Sequence, residues 1–217
     1  MGWPLLVTGM ALAMSPWWYA AIVPGVLLAL VVWFFRDPPR RVPTEPGLVV
    51  APADGTIAEI TPLANDEFIG GPAVRIGIFL SIFNVHINRA PVRSHVIKLH
   101  YSPGEFLNAL NPDSAIRNEN LWIGLQADEF PFRPMIVRQI AGLIARRIVC
   151  ELRPGEVMER GHKFGMIKLG SRTELILAAE GELEILVKVG APVRGGATVL
   201  ACYRDAAQPT SRVPAAD

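Results

Sequence analysis

Residues 1–35 contain no Asp, Glu, Lys or Arg, and the first charged side chain is Arg36. Such a run has to leave water. Residues 17–35 approach the roughly 20 apolar residues that cross a hydrocarbon core as a helix. Trp17, Trp18 and Tyr19 stand at one end and Trp33, Phe34 and Phe35 at the other, matching the two interfacial aromatic belts. Arg36, Arg40 and Arg41 follow at once, and the positive-inside rule then keeps the downstream chain cytoplasmic. Pro24 is compatible with a membrane helix. Residues 3–14 are apolar too but short for a span, and Pro16 separates them from the next run. Two arrangements remain: one spanning helix with an outer N-terminus, or a shallow hairpin with both ends inside. A cleaved signal peptide fits less well, because no Lys or Arg precedes the cleavage-like Ala11-Leu12-Ala13. The expectation is a hydrophobic membrane-anchoring segment over residues 1–36 and one domain over residues 37–217.

Asp37-Pro38-Pro39 and the segment 43–46 read as a stiff linker. Beyond it the chain is punctuated by turns; the 19 glycines and 19 prolines of the whole sequence favour short strands over long helices. Strand patterns cover residues 48–51, 56–60, 74–83, 92–101, 118–125, 132–140, 148–152, 174–178, 182–189 and 197–203. Residues 105–110 read as a short helical piece, 140–147 as helix or strand, and 205–217 as an unstructured tail. The fold class is therefore mainly β, a sandwich or barrel. The phrases VVAPADGTIAEI and ILVKVGAPVRGGATVLA look like the hammerhead strands of biotinyl-lipoyl-type domains, a likeness that does not fix function. A net charge of +1 excludes the basic footprint of a nucleic-acid binder. Cys150 and Cys202 lack metal-ligand spacing, and there is no phosphate-binding GxxxxGK[ST] loop.

The chemistry-bearing stretch is Gly161 to Arg172, GHKFGMIKLGSR. By composition it is a hairpin with glycine turns and an ordinary serine. Its FGMIKLGSR, however, is similar to the cleavage region of the phosphatidylserine decarboxylases, and resembles the short bacterial branch, which has Arg after the serine. APADGTI at residues 51–57 and FNVHINRAPV at 83–92 resemble the same branch. The likeness runs from about residue 17 to 203. It implies self-cleavage between Gly170 and Ser171. Ser171 attacks the Gly170 carbonyl, where glycine offers no side chain in the way. The acyl group shifts from nitrogen to oxygen. Elimination leaves dehydroalanine, and hydrolysis releases ammonia and leaves a pyruvoyl group. A β chain of residues 1–170 and an α chain of residues 171–217 result, held as a heterodimer. The implied reaction is decarboxylation of phosphatidylserine to phosphatidylethanolamine and CO2 through a Schiff base on the covalent pyruvoyl, an electron-sink task, with no metal. The implied place is the cell membrane, with the catalytic domain on its cytoplasmic side.

Within the resembling motifs His86 is the first choice for proton transfer, because imidazole titrates near neutrality. Asp54 is its natural partner, by the logic of a serine triad. The long branch carries a second histidine where Arg89 stands here, and that histidine is the one tied to self-cleavage. Either His86 does both jobs or another group substitutes. His162, shortly before the cut, is a secondary candidate. Arg89 and Lys163 are candidates for the lipid phosphate. Arg172 is read as a sheet-surface charge, and His95 and His100 as exposed. Two rivals are a membrane-tethered β-sandwich without catalysis and an enzyme acting on an ether lipid or a related serine headgroup.

Overall fold

The computed structural model describes residues 3, 4, 7, 8, 10, 21–107, 114–142, 148–167 and 171–204. The chain divides into two units, Met1–Pro38 and Pro39–Asp217. In the first, helix α1 covers Ile22–Phe34. Pro24 sits in its first turn, where a missing N–H costs no helix bond. Its residues carry no charged or polar side chain, and none of them is buried. Arg36 closes the end, its guanidinium donating to the Trp33 carbonyl and lying 4.0 Å from the Trp33 ring centre. Thirteen residues rise only about 20 Å. No helix among the described residues is long and apolar enough to cross a membrane. The expected span over residues 17–35 is thus not borne out in the described part, and Trp17, Trp18 and Tyr19 lie outside it.

The second unit is mainly β, as its turn-rich sequence implies. Its strands are β1 (Leu48–Val50), β2 (Gly55–Asp66), β3 (Gly71–Leu80), β4 (Ile87–Arg89), β5 (Ser94–Ser102), β6 (Asn120–Ala127), β7 (Pro134–Ile140), β8 (Ile148–Cys150), β9 (Val157–Met158), β10 (Lys163–Ile167), β11 (Ser171–Ala178), β12 (Glu182–Ile185), β13 (Pro192–Val193) and β14 (Val199–Arg204). The largest sheet is antiparallel, in the order β13-β2-β3-β11-β7-β6-β5-β9. Two smaller sheets, β1-β14-β12 and β4-β10-β8, contribute Val49, Leu200, Tyr203 and Phe164 to the same core as Ile76, Ile78, Leu125, Val137 and Leu175 of the large sheet. The two hammerhead-like phrases meet in space, β1 beside β14 and β2 beside β13.

The expected strand 182–189 ends at Ile185, and two further expectations shift. The run 74–83 stops as a strand at Leu80, because Asn84 closes a turn on Ser81. Residues 105–107 are not helical: Glu105 bridges Asn118, and the helical turn, α2, is Ser114–Arg117. Residues 108–110 and 143–147, which carried the rest of two ambiguous expectations, lie outside the described residues.

Strand β11 is buried along its whole length. Alternation sends Ser171, Thr173, Leu175 and Leu177 to the core face and Arg172, Glu174 and Ile176 to the other. On that other face the charges are paired. Arg172 reaches Glu59 at 2.6 Å and Glu174 at 3.0 Å, and Arg75 reaches Glu59 at 2.9 Å. Arg172, expected as a surface charge, is only 5% exposed.

Candidate active site

Ser171 opens β11, opposite Leu80 of β3. It is 0% exposed, and its Oγ has no hydrogen-bond partner among the described residues. Leaving a buried hydroxyl unsatisfied costs about 1–3 kcal/mol, so the arrangement calls for a chemical reason. Gly170, with residues 168 and 169, lies outside the described residues.

His86 comes to the same place through backbone pairing. Strand β10 runs antiparallel to β4, and the Ile167 N–H donates to the His86 carbonyl at 3.2 Å. Ile167 ends β10 four positions before Ser171, so His86 flanks the chain that leads into the serine. Its side chain is buried, at 1% exposure. Both reacting candidates are thereby withdrawn from water, where a proton transfer between them meets little competition from solvent.

A buried polar cluster ties these two strands together. Asn88 Nδ2 donates to Thr173 Oγ1 at 3.0 Å and to the Pro52 carbonyl at 3.3 Å, while Gln139 Nε2 donates to Asn88 Oδ1 at 2.8 Å. Residues 86 and 88 share a face of their extended segment, as 171 and 173 share a face of β11. The Asn88–Thr173 bond therefore stands two residues from His86 on one strand and two from Ser171 on the other. Sequence reading passed over Asn88, Thr173 and Gln139. The two-residue spacing from His86 and from Ser171 was the available signal for the first two; Gln139 gives none, since only the fold brings β7 alongside.

The other candidates sit differently. Asp54 Oδ2 accepts from Arg40 at 2.7 Å and Oδ1 from the Gly195 amide at 2.8 Å. Its carboxylate fastens the segment before β1 to the turn before β14, and its described bonds do not include His86. Arg89 is buried, donates to the Gly161 carbonyl at 3.1 Å and runs over Gly196. An added Cβ on Gly196 would stand 2.9 Å from Arg89 Cδ, so the arginine holds two glycine turns. His162 is exposed, and its carbonyl accepts from Ala90 at the end of β10 away from Ile167, about 17 Å along the strand at the usual rise. Lys163 is exposed. His95 is half-buried rather than exposed, its Nδ1 2.6 Å from Asp128 Oδ1. Burial pushes the thiols of Cys150 and Cys202 up from the ordinary cysteine value, which makes them poor nucleophiles. Among the described residues no group of His, Cys, Asp and Glu could hold a metal ion. A groove of about 580 Å³, lined by Lys98, His100, Trp122 and Arg138 among others, opens on the face of the sheet away from Ser171.

The comparisons agree with the motifs. The family model for phosphatidylserine decarboxylase matches residues 27–201. A phosphatidylserine decarboxylase proenzyme of Rhodopirellula baltica is 50% identical over 188 residues, covering 87% of this chain and 78% of that one. The proenzyme of Symbiobacterium thermophilum is 42% identical, covering 92% of each chain, and that of Nitrosomonas eutropha 39% identical, covering 94% of each.

Proposed function

This chain belongs to the phosphatidylserine decarboxylase family, and from that premise we propose that it is a proenzyme whose Ser171 becomes a pyruvoyl group by self-cleavage after Gly170, and that it then converts phosphatidylserine to phosphatidylethanolamine and CO2. The relatives carry the name proenzyme, which implies processing. The observation that carries the reading is Ser171 itself: a fully buried hydroxyl without a partner among the described residues, at the start of a fully buried strand, beside the chain of His86. Oγ departs with Gly170 as a carboxylate oxygen and the side-chain carbon ends as a methyl, the ketone forming at Cα, so a buried place that offers Oγ no hydrogen bond fits the product.

When present, the pyruvoyl group supplies a ketone that condenses with the substrate amine and an electron sink for the carbon that loses CO2. The rest falls to the chain. His86 takes the proton from Ser171 Oγ as it attacks Gly170, and during turnover returns a proton to the decarboxylated carbon. Asn88, Thr173 and Gln139 hold the two strands in register while this happens. The surrounding core keeps bulk water from the site.

Cleavage need not release the α chain, residues 171–217. Strand β11 lies between β3 and β7, and β14 between β1 and β12. Both are inner strands, paired on each side by backbone bonds from residues 1–170 or from their own chain, so the cut product stays seated as a heterodimer. Helix α1, apolar throughout and with no residue buried, supports an anchoring role at the cell membrane, with the catalytic unit on the cytoplasmic side by the arginine bias after residue 35.

Intact-mass measurement of the purified protein tests this. Two chains split after Gly170, the smaller lacking a free amino terminus, are expected. A single chain with unmodified Ser171 in an active preparation would refute it.

A further inference from the structure

The turn between β3 and β4 carries two large apolar side chains that the reaction does not use. Ile82 is 43% and Phe83 66% exposed. Their exposure is built rather than accidental. Asn84 Oδ1 accepts from the Ser81 amide at 2.8 Å and from Ser81 Oγ at 2.7 Å, and the Asn84 amide donates to the Ser81 carbonyl at 3.0 Å. Those three bonds close a tight turn and leave residues 82 and 83 at its tip. Immediately on either side the chain is buried: Leu80 at 0%, Val85 at 3% and His86 at 1% exposure. Leu80 is the register partner of Ser171, and His86 accepts from Ile167. The tip is thus continuous with both walls of the site, three residues from each. No Asp, Glu, Lys or Arg occurs between Arg75 and Arg89, so nothing charged is dragged along if the tip leaves water. Ile97, Ile116 and Val189 of the second unit are exposed too, but none of them lies in the segment that joins Leu80 to His86.

We propose that Ile82 and Phe83 form a wedge that inserts into the acyl region of a phosphatidylserine-containing bilayer and sets the catalytic unit at the depth where a serine headgroup can enter beside Ser171. The proposal deepens the reading of the preceding subsection and rests on it: a diacyl substrate stays in its leaflet, while the atom it must reach is fully buried, so the surface joined to both site walls has to face the lipid. The occupant is the bilayer rather than a second copy of the chain, because among the described residues the exposed apolar tip of this turn is two residues wide, far short of what a stable protein interface buries.

Two variants test it. Phe83→Trp is mixed with vesicles of phosphatidylcholine and phosphatidylserine whose acyl chains are brominated; emission beyond that of the unsubstituted protein should be quenched. Ile82→Ser/Phe83→Ser is assayed on such vesicles, unbrominated, and on short-chain phosphatidylserine below its micelle concentration. Cosedimentation is not the readout, since residues 1–35 bind vesicles by themselves on this reading. The ratio of vesicle to short-chain turnover is expected to fall about tenfold or more, given the burial energy of two large apolar side chains, while cleavage at Ser171 proceeds and reports an intact fold. No added quenching in F83W, an equal loss on both substrates, or a dimer-to-monomer change in light scattering with an unaltered ratio would each overturn the wedge. Absence of turnover on both substrates by the unsubstituted, cleaved protein would instead overturn the assigned reaction, and the quenching result would still decide the wedge.

Discussion

Replacing Gly77 with alanine probes how the residue after Ser171 is held. Gly77 is the register partner of Glu174 on one side and of Glu59 on the other. Arg172 lies across it to reach Glu59 at 2.6 Å. An alanine Cβ there would stand 2.6 Å from Arg172 Nη2 and 2.9 Å from both Arg172 Cζ and Glu59 Cγ. Ordinary contacts need about 3.5 Å, so the guanidinium must move by about 1 Å and the pair with Glu59 opens. Breaking a fully buried pair costs about 3–5 kcal/mol. The Glu59 side chain, however, is 32% exposed, and Glu174 still holds Arg172 Nε at 3.0 Å. Screening by water therefore lowers the cost to roughly 1–3 kcal/mol. Alanine returns about 0.5–1 kcal/mol of strand preference. The net loss is roughly 1–2 kcal/mol, about 2–8 °C in midpoint for a unit of this size.

The measurement is thermal unfolding in a Ser171→Ala background, which keeps every variant as one uncut chain. A double-mutant cycle with Arg172→Ala isolates the cause. With the guanidinium gone the alanine has nothing to strike, and the cost of Gly77→Ala should vanish or change sign, a coupling of about 1 kcal/mol or more. An equal cost with and without Arg172 would show that the clash is elsewhere and that Arg172 does not depend on the gap over Gly77. In protein retaining Ser171 the same substitution should slow cleavage, because the displaced guanidinium belongs to the very next residue.

Other consequences can be checked more briefly. Ser171→Ala should abolish both cleavage and turnover while leaving the circular dichroism spectrum unchanged. His86→Ala should slow cleavage by about 100-fold or more, the usual worth of a positioned base; normal cutting, read by gel over time, would remove His86 from that role. Asn88→Ala strands Gln139 and Thr173 in the core and should cost about 1–3 kcal/mol, with slower cleavage than an equally destabilised surface variant. The Tyr203 hydroxyl donates to the Ala178 carbonyl at 2.7 Å, and burial pushes its ionisation above the ordinary phenol range. Unfolded tyrosine ionises near about pH 10, so this contribution is complete below that pH and is lost as pH rises toward the higher folded value. Unfolding midpoints of the parent should drop with pH above about 10, and Tyr203→Phe should flatten that drop.

What the sequence displayed depended on range. Strand periodicity is local, and β1, β5, β6, β7, β11 and β14 fall within a few residues of the apolar runs that announce them. The run 74–83 overshot because Ile82 and Phe83 are as apolar as the buried residues before them; only the Asn84 side chain, folding back on Ser81, tells that the strand has ended. Motif residues were legible as a set, yet their separation by function was not. Asp54 reads as a partner for His86 and Arg89 as a contact for lipid phosphate, and the structure adds that each braces a glycine turn, Asp54 through the Gly195 amide and Arg89 through the Gly161 carbonyl. A charge beside a glycine has two physical uses, chemistry at an open backbone or support of a tight one, and spacing alone does not separate them. Arg172 makes the converse case. It reads as a surface charge because nothing in a linear pattern shows that β2 and β11 sit on either side of β3 with a glycine between them. The glycine that makes room for it is 95 positions away in the chain, so the residue that steadies the serine becomes visible only once the strands are paired.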